Sequence, residues 1–416
     1  MENLFITNIK VNKVRHLKDF EIDLSEQKAK HLILTGKNGC GKTSLLDAMA
    51  TFLDSILGLN DLASKIQSLK NNKEILQRYQ KEHRADNEIK EEQKIVEFYE
   101  GLIKKMGGGV ILEMNRPLEE MWEHFEQGQF VAAYYKANRV FTAEVPKYVE
   151  KIELKSDYAI DEAPRENFIK YLLDLKMTQA LAITSGKTEK AEQIKDWFDK
   201  FQGMLQQIFE DDSVKLEFDE DTFKFQIVMD NREPFDFNTL SSGYAAILDI
   251  VVDLIIRMEK QTNKVFDFSI PGVVLIDEIE SHLHLALQKN IMGLLTTIFP
   301  NVQFIVSTHS PFVLNSLGDV TIYDLEQHLE VKNGLADVPY AGIVEGYFNA
   351  DSMSETLRDK YKKYQTLVKK KELTDDDFEE IADLEMYLDE IPDYLALNIT
   401  TEYQRLKAEL RDRGDI

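Results

Sequence analysis

The sequence predicts an α/β fold in which buried strands alternate with helices. His31–Thr35 is a mainly apolar run that ends at a glycine, which is typical of a buried parallel strand. The runs at 273–276 and 303–307 have the same character. Residues 43–57 and 244–258 instead carry apolar side chains at helical spacing. Strands of this kind, each followed by a helix, predict helices packed on a parallel sheet.

The composition predicts a folded chain with an acidic surface. The 416 residues include 43% hydrophobic and 10% aromatic residues, which excludes a disordered chain. The length predicts two or three structural units. With 50 basic and 74 acidic residues the formal charge is −24, which argues against a surface that neutralises nucleic-acid phosphates, although one local basic groove is still possible.

The sequence carries no signal for a membrane or a secreted location. No stretch approaches 18 uninterrupted apolar residues, so we expect no membrane-spanning helix. Residues 1–17 lack the apolar core and cleavage site of a secretion signal, and they resemble the start of a strand. Cys40 is the only cysteine, so no intrachain disulfide can form, and we expect a cytoplasmic protein.

The pattern divides the chain into four segments. Residues 1–58 carry short strands at 5–11 and 20–24 before the strand at 31–35. Residues 59–211 form a mostly helical insertion, and residues 212–330 return to strands. Residues 331–416 are predicted to be helical, with a capping box in the sequence TDDD at 374–377.

The insertion is predicted to contain a short coiled coil. Between 61 and 106, apolar residues recur at steps of three, four and seven, which indicates two antiparallel helices joined near 80–87. A strand at 130–135 is predicted to return to the core. Residues 214–218 and 222–229 alternate like an antiparallel hairpin.

A phosphate-binding loop follows the strand at 31–35. The run Gly36-Lys37-Asn38-Gly39-Cys40-Gly41-Lys42-Thr43 matches the pattern G-x-x-x-x-G-K-[ST]. Its glycines allow backbone N–H groups to approach a triphosphate at a helix start. Lys42 is predicted to reach the β- and γ-phosphates of ATP, the Thr43 hydroxyl to bind Mg²⁺, and Ser44 to adjoin the phosphates. The pattern alone can arise by chance, but a strand before it and a helix after it support the function.

An acid pair follows the apolar strand at 273–276. Two adjacent carboxylates there are costly unless a cation or hydrogen bonds meet them. Asp277 is predicted to bind Mg²⁺, and Glu278 to polarise the water that attacks the phosphate. The structural alternative is a solvated loop that begins at a strand end, which suits one acid better than this pair.

Two further motifs produce a family resemblance. Residues 240–244, with the sequence LSSGY, resemble the LSGGQ signature of ABC-type ATPases. Residues 304–311, FIVSTHSP, resemble their switch strand, with His309 as the switch histidine. The order of loop, signature, acid pair and histidine is similar to that of RecF, SMC and ABC heads, over residues 1–58 and 212–325. The resemblance implies an ABC-type ATPase head with an inserted helical hairpin and a helical C-terminal extension.

The resemblance also implies a shared active site. In that family two heads enclose ATP, and the signature of one contacts the γ-phosphate held by the other. Here Ser241 would supply a hydroxyl and Gly243 a backbone N–H, so hydrolysis would need a dimer or a higher oligomer. A Ser-Ser-Gly run taken alone is more often a helix cap. Tyr244 and Ser242 depart from the signature in ways that occur in its non-transporter branches.

Four residues have open assignments. Gln127 and Gln129 precede the strand at 130–135, where a Q-loop glutamine is expected, but each also suits an exposed surface. Arg139 either faces the nucleotide or forms an exposed salt bridge. Arg15 resembles a basic residue that touches phosphate in RecF-like heads.

Three more side chains suggest chemistry that the resemblance does not need. His282 and His284 are spaced so that they could bind a metal, but the resemblance implies a segment near the dimer seam. Cys40 could make the loop sensitive to oxidation, but a small space-filling residue explains it better.

The architecture resembles one branch of the family most. The inserted hairpin is too short for the long arm of an SMC protein, since about 20 residues per helix span about 30 Å. The chain is similar to the stand-alone ATPases of bacterial antiphage systems such as Septu and PARIS. That resemblance implies a scaffold and sensor that controls a separate effector, such as a nuclease, in response to a phage-derived trigger. The alternative is a RecF-like repair ATPase that clamps DNA.

Overall fold

The computed structural model of the protein describes residues 3–58, 61–139, 141–144, 146, 148–262, 265–347, 355–390 and 397–412. The chain divides into two compact units, Met1–Val338 and Pro339–Ile416. Residue 59, where the insertion is predicted to begin, lies outside the described residues, and the four predicted segment bounds stay predictions. None of the helices in the described ranges is both long and apolar enough to cross a membrane.

The first unit contains all of the described strands, most of which are short. They are β1 Ile6–Val14, β2 Leu17–Asp23, β3 His31–Thr35, β4 Val110–Met114, β5 Val131–Tyr135, β6 Lys215–Asp219, β7 Lys224–Val228, β8 Gly272–Ile276, β9 Val302–Ser307, β10 Val320–Asp324 and β11 Leu329–Val331.

Helices occupy most of the remaining described chain. They are α1 Lys42–Leu57, α2 Asp61–Lys81, α3 Asp86–Met106, α4 Leu118–Glu126, α5 Phe168–Thr184, α6 Thr188–Phe209, α7 Ser242–Thr262, α8 Leu285–Ile298, α9 Pro311–Leu314, α10 Tyr340–Gly342, α11 Glu355–Val368, α12 Asp375–Asp389 and α13 Leu397–Arg411.

The described strands form three sheets, and the largest sheet positions the residues of the candidate site. Its order is β11-β10-β3-β9-β8-β5, and its strands are parallel except for β11, which pairs antiparallel with β10. β2-β1-β4 form an antiparallel sheet, and β6 and β7 form the predicted hairpin. The predicted α/β class is confirmed. Because β3, β5, β8 and β9 are parallel, the segments that follow them meet at one edge of the sheet.

Helix α1 shares one hydrophobic core with both larger sheets. Leu45, Met49 and Leu53 are buried with Leu112 of β4 and Leu275 of β8. Each fully buried leucine side chain contributes about 2 kcal/mol. This packing fixes the first turn of α1 at the edge where β3 ends.

A buried glutamine joins the same two sheets. Gln303 of β9 is fully buried, and its amide oxygen accepts a hydrogen bond from Ile6 N at 2.7 Å. Its amide nitrogen donates to the carbonyl oxygens of Ile6 at 2.9 Å and Lys30 at 2.8 Å. All three bonds lie in the interior, where leaving a backbone group unpaired is costly. The glutamine therefore holds β1 against the strand that leads to residues 307–309.

The insertion contains the predicted pair of helices. A turn at 82–85 joins α2 to α3, and the two helices pack on each other. Lys73 of α2 pairs with Glu100 of α3 at 2.7 Å. Their coiled-coil geometry stays a prediction. Residues 164–209 are helical as expected, in α5, α6 and a preceding 3₁₀ turn. β4, β10 and β11 were not among the predicted strands.

The second unit is a small helical assembly with its own core. Helices α11, α12 and α13 bury Tyr364, Leu384, Tyr403 and Leu406 among its core residues. The predicted capping box of α12 is confirmed, since Thr374 Oγ1 accepts from Asp377 N at 3.3 Å and the Asp377 carboxylate accepts from Thr374 N at 2.9 Å. This pairing satisfies two backbone donors at the helix start.

His31 gives the first unit a measurable pH dependence. Its Nδ1 accepts a hydrogen bond from Phe304 N at 3.1 Å, and burial lowers the pKa of His31 from 6.5 to about 4. The unfolded chain therefore binds this proton at a higher pH than the folded chain does. The stability that neutral His31 contributes is complete above pH 6.5 and is lost as the pH falls towards 4, by at most about 3 kcal/mol.

We expect His31→Asn to reduce the change in the free energy of unfolding between pH 7 and pH 4. The Asn amide oxygen can replace Nδ1 as an acceptor but does not titrate. Urea unfolding of both proteins between pH 7 and pH 4 measures the difference. His83→Asn, at an exposed turn residue with positive φ, is the matched control and should follow the wild-type profile. Parallel profiles for wild type and His31→Asn would contradict the assignment.

Candidate functional site

The phosphate loop lies between β3 and α1 at the carboxyl edge of the large sheet. Gly39 and Gly41 have φ of 83° and 106°, in the left-handed region that glycine adopts most easily. A Cβ on Gly41 would lie 2.9 Å from Leu17 Cδ1, so a larger residue there would have to displace the Leu17 side chain. A Cβ on Gly39 would meet nothing within 4 Å, which leaves its backbone open to a ligand. The loop therefore presents backbone rather than side chains at the start of α1.

Lys42 is the first residue of α1 and is only 6% exposed. Its ammonium donates to the carbonyl oxygens of Gly36 at 2.9 Å and Lys37 at 3.3 Å. These contacts hold a positive charge inside the loop. An anion that enters the loop therefore meets this charge together with the positive end of the helix.

The acid pair meets the loop through a chain of three short hydrogen bonds. Thr43 Oγ1 donates to Asp277 Oδ2 at 2.8 Å, and Ser307 Oγ donates to Asp277 Oδ1 at 2.6 Å. Ser307 Oγ also accepts from Glu278 N at 2.8 Å. Asp277 is 3% exposed and forms no ion pair with a Lys or Arg side chain in the described ranges. A buried carboxylate beside a hydroxyl is the oxygen donor set that Mg²⁺ prefers, so these residues fit that ion.

Glu278 lies in a strained turn directly after β8. Its φ is 45°, in the left-handed region that a glutamate seldom adopts. The carboxylate accepts a hydrogen bond from Ser281 Oγ at 3.2 Å, and the residue is partly exposed. The turn therefore leaves the carboxylate accessible from solvent.

His309 follows β9 at the same edge. Its backbone N–H donates to Glu280 Oε1 at 2.5 Å. Burial, and less strongly the Lys42 ammonium, lower the pKa of His309, although the carboxylates of 277, 278 and 280 oppose this effect. The imidazole is therefore neutral at neutral pH and keeps one nitrogen as an acceptor and one as a donor.

A cleft of about 270 Å³ brings most of these groups together. Predicted residues from the loop and its helix, from the acid pair and from the switch strand line it: Asn38, Gly39, Gly41, Lys42, Thr43, Ser44, Glu278 and His309. Arg15, whose assignment was open, lines the cleft as well. Asp277 joins it through its hydrogen bond to Thr43.

Other predicted loop residues support the loop from outside the cleft. Lys37 is exposed and pairs with Glu326 in the turn after β10, at 2.8 Å. Gly36 is buried directly after β3. Cys40 is partly buried, and its Sγ would lie 2.9 Å from a Cβ placed on Gly36, which suits the space-filling interpretation. These three residues fix the shape of the loop.

The signature lies at the start of α7, outside the cleft. Ser241 is exposed. Gly243 is buried, and a Cβ there would lie 2.9 Å from the carbonyl oxygen of His282. A glycine is therefore needed for α7 to approach the segment that follows the acid pair. The structure does not bring Ser241 or Gly243 together with the loop of the same chain.

The structure places the other residues with open assignments outside the cleft. Gln127 and Gln129 precede β5, so they lie at the opposite edge of the parallel sheet from the cleft. His282 and His284 are exposed, and the described residues contain no group of three or more His, Cys, Asp or Glu side chains that could hold a metal. Both predicted roles of Arg139, facing the nucleotide and forming an exposed salt bridge, are wrong. Arg139 is 4% exposed, does not line the cleft, and binds backbone carbonyls of residues 277–279 instead.

Sequence reasoning missed three supporting residues. Ser307 lies at the end of β9, beside β8, where its hydroxyl donates to Asp277. The sequence marks it only as part of the switch strand. Glu280, two residues after the acid pair, binds His309 N. His16 Nε2 lies 3.0 Å from Cys40 O, and no sequence signal links the β1–β2 turn to the loop.

The chain is similar in sequence to several known proteins. Over residues 32–315 the chain matches the family described as "AAA domain, putative AbiEii toxin, Type IV TA system". It is 25% identical over 325 residues to the Septu protein PtuA of Bacillus mycoides (strain KBAB4), covering 76% of this chain and 39% of that protein. It is 34% identical over 149 residues to the protein named "Retron Ec83 probable ATPase" of Escherichia coli, covering 34% of this chain and 27% of that protein. The matched regions thus span less than half of these relatives.

The chain also aligns with solved structures at low sequence identity. The crystal structure of the SmcHead bound to the C-winged helix domain of ScpA is 13% identical, with a TM-score of 0.39, and the match covers 77% of this chain and 93% of that one. The structure of cbiO1 from Clostridium perfringens is 12% identical, with a TM-score of 0.37, and covers 86% and 94%.

The family match includes the phosphate loop, the acid pair and His309. The chain therefore belongs to this AAA domain family.

Proposed function

We propose that this protein binds ATP with Mg²⁺, hydrolyses it between two copies of the chain, and thereby controls a separate effector in antiphage defence. The observation that carries the proposal is the meeting of Thr43, Asp277, Ser307 and Glu278 beside the phosphate loop. Four residues from three separate parts of the chain converge there, each of a type that phosphoryl transfer uses.

Each group at the cleft has a separate role in ATP hydrolysis. Thr43 and Asp277 would hold Mg²⁺, which when bound offsets the negative charge of the phosphates. The backbone N–H groups of the loop and the Lys42 ammonium bind the phosphate oxygens. The Glu278 carboxylate orients the attacking water and accepts its proton. The neutral imidazole of His309 donates a hydrogen bond towards the phosphate that leaves.

The second copy is proposed because the signature is outside the cleft. Ser241 is exposed at the start of α7, where its hydroxyl and the nearby backbone N–H groups of the helix start can meet a phosphate held by another chain. This arrangement is supported by the resemblance of residues 240–244 to the ABC signature. A dimer is the smallest assembly that completes the site.

The defence role rests on the relatives. The chain resembles the Septu protein PtuA and a retron ATPase, so we propose a cytoplasmic scaffold whose ATP cycle controls a nuclease or similar effector after a phage-derived trigger. Co-purification with the product of a neighbouring gene, and phage plating with and without that gene, test this part. A tagged protein that purifies alone and gives no protection with its neighbours would contradict it.

We expect Ser241→Arg to abolish turnover while the single chain still binds ATP. The position is exposed, so the new side chain does not disturb the fold, but it blocks the site of the partner. Mixing this variant with Lys42→Ala should restore about a quarter of the wild-type rate, because half of the random dimers have one intact site. ATP hydrolysis after subunit exchange measures this. Complete inactivity of a mixture whose subunits demonstrably exchange would contradict the shared site.

A further inference from the structure

The Arg139 side chain lies directly behind the acid pair. Its Nη1 donates to the carbonyl oxygens of Lys136 at 3.0 Å and Asp277 at 2.6 Å. Its Nη2 donates to the carbonyl oxygens of Glu278 at 2.9 Å and Ile279 at 3.4 Å. One guanidinium thus serves three successive carbonyl groups, a pattern that its planar set of five donors allows.

The backbone that Arg139 binds is the strained turn. The N–H groups of the turn are satisfied from the sheet, since Asp277 N donates to Tyr135 O at 2.8 Å, and Glu278 N and Ile279 N donate to Ser307 at 2.8 Å and 3.1 Å. The carbonyl oxygens are satisfied by Arg139. Because a left-handed glutamate persists only where its surroundings hold it, this complete set of bonds fixes the direction of the Glu278 side chain.

The charge of the guanidinium is balanced from two elements. Burial lowers the pKa of Arg139, and carboxylates of Asp249 on α7 and of residues 277, 278 and 280 after β8 oppose that effect. Asp249 is fully buried and pairs with Arg165 Nε at 2.5 Å. Negative charge therefore acts on the guanidinium from the acid turn and from α7, the helix that begins at the signature.

We propose that Arg139 is a positioning residue for ATP hydrolysis, which holds the 277–279 turn so that the Glu278 carboxylate faces the cleft. This inference rests on the proposed function, in which Glu278 polarises the attacking water. A direct contact with nucleotide does not fit, because the guanidinium is buried and absent from the cleft lining. An exposed salt bridge does not fit either, because the side chain is 4% exposed.

The first test separates positioning from binding. Arg139→Gln removes the charge and most of the donors, so we expect kcat to fall about tenfold or more while the Kd for ATP changes less than about threefold. Arg139→Lys, which keeps the charge and up to three donors, should recover part of kcat. Unchanged kcat in folded Arg139→Gln, or a loss of ATP affinity as large as the loss of kcat, would overturn the proposal.

Arg257→Lys is the matched control. Arg257 is 3% exposed on α7, pairs with Asp253 at 2.7 Å, and donates to carbonyls outside 277–279. We expect this variant to lower the melting temperature and to change kcat less than about threefold. If it lowers kcat as much as Arg139→Gln does, the effect reports general destabilisation and the positioning role fails.

A double variant shows whether Arg139 acts through Glu278. In the Glu278→Gln background, Arg139→Gln should lower kcat no further, since the group it positions is already absent. An additional drop equal to that of the single variant would overturn the proposal. A Glu278→Gln protein with wild-type turnover would instead refute the proposed function itself. If Arg139→Gln does not fold, Arg139→Lys in the same two backgrounds decides between these outcomes.

Discussion

Replacing Glu278 with glutamine is expected to lower ATP turnover by about 10² or more while ATP stays bound. Glutamine keeps the size of the side chain and can still accept from Ser281 Oγ, so the turn is preserved. It cannot accept a proton from water at neutral pH. Mg²⁺ binding through Thr43 and Asp277 is not altered, so the affinity for ATP should remain. Steady-state phosphate release together with a nucleotide titration measures both quantities.

The same variant gives a second readout for the assembly. If ATP persists between two chains, the dimer should last longer, and an effector should stay permanently bound or permanently released. Glu113→Gln, at an exposed position on β4, is the control and should behave as wild type. Near wild-type turnover by Glu278→Gln would place the general base elsewhere.

Lys42→Ala is expected to remove most of the ATP binding. The ammonium is a buried positive charge in the loop, held by two loop carbonyls. Loss of a charge-assisted hydrogen bond to phosphate costs about 1.5–3 kcal/mol, which corresponds to a Kd weaker by roughly 10- to 150-fold. Isothermal titration with a slowly hydrolysed ATP analogue and Mg²⁺ measures the change.

Lys73→Ala is the matched control for that substitution. It removes a cation of the same kind, paired with Glu100 on the α2–α3 hairpin, and should leave the nucleotide affinity unchanged. Equal affinities for wild type and Lys42→Ala would mean that the loop does not bind the phosphates.

The parts of the site that the sequence predicts are those that local patterns encode. The loop lies between a strand and a helix because a run of apolar residues, a glycine-rich turn and helical spacing follow one another within 27 residues, at 31–57. The acid pair is predictable in the same way, because it directly follows an apolar run that indicates a buried strand. Parallel strands then bring these segments to one edge, so Thr43 and Asp277 meet although 234 positions separate them.

The parts that escaped prediction depend on contacts between distant segments. Arg139 binds carbonyl groups 138 to 140 positions away, and backbone carbonyls carry no residue-specific signal in a sequence. Ser307 is ordinary in a strand until β9 is placed beside β8. The Q-loop candidates failed because strand direction decides which end of β5 meets the cleft, and the pairing of β5 with β8 sets that direction.

In the proposed mechanism this cleft hydrolyses ATP with Glu278 as the base. The most direct measurement is the nucleotide bound to wild type and to Glu278→Gln after both are loaded with ATP and Mg²⁺ and incubated for several wild-type turnovers. We expect ADP and released phosphate from the wild type and intact ATP on the variant. Equal conversion by the two proteins, or no bound nucleotide on either, would contradict it.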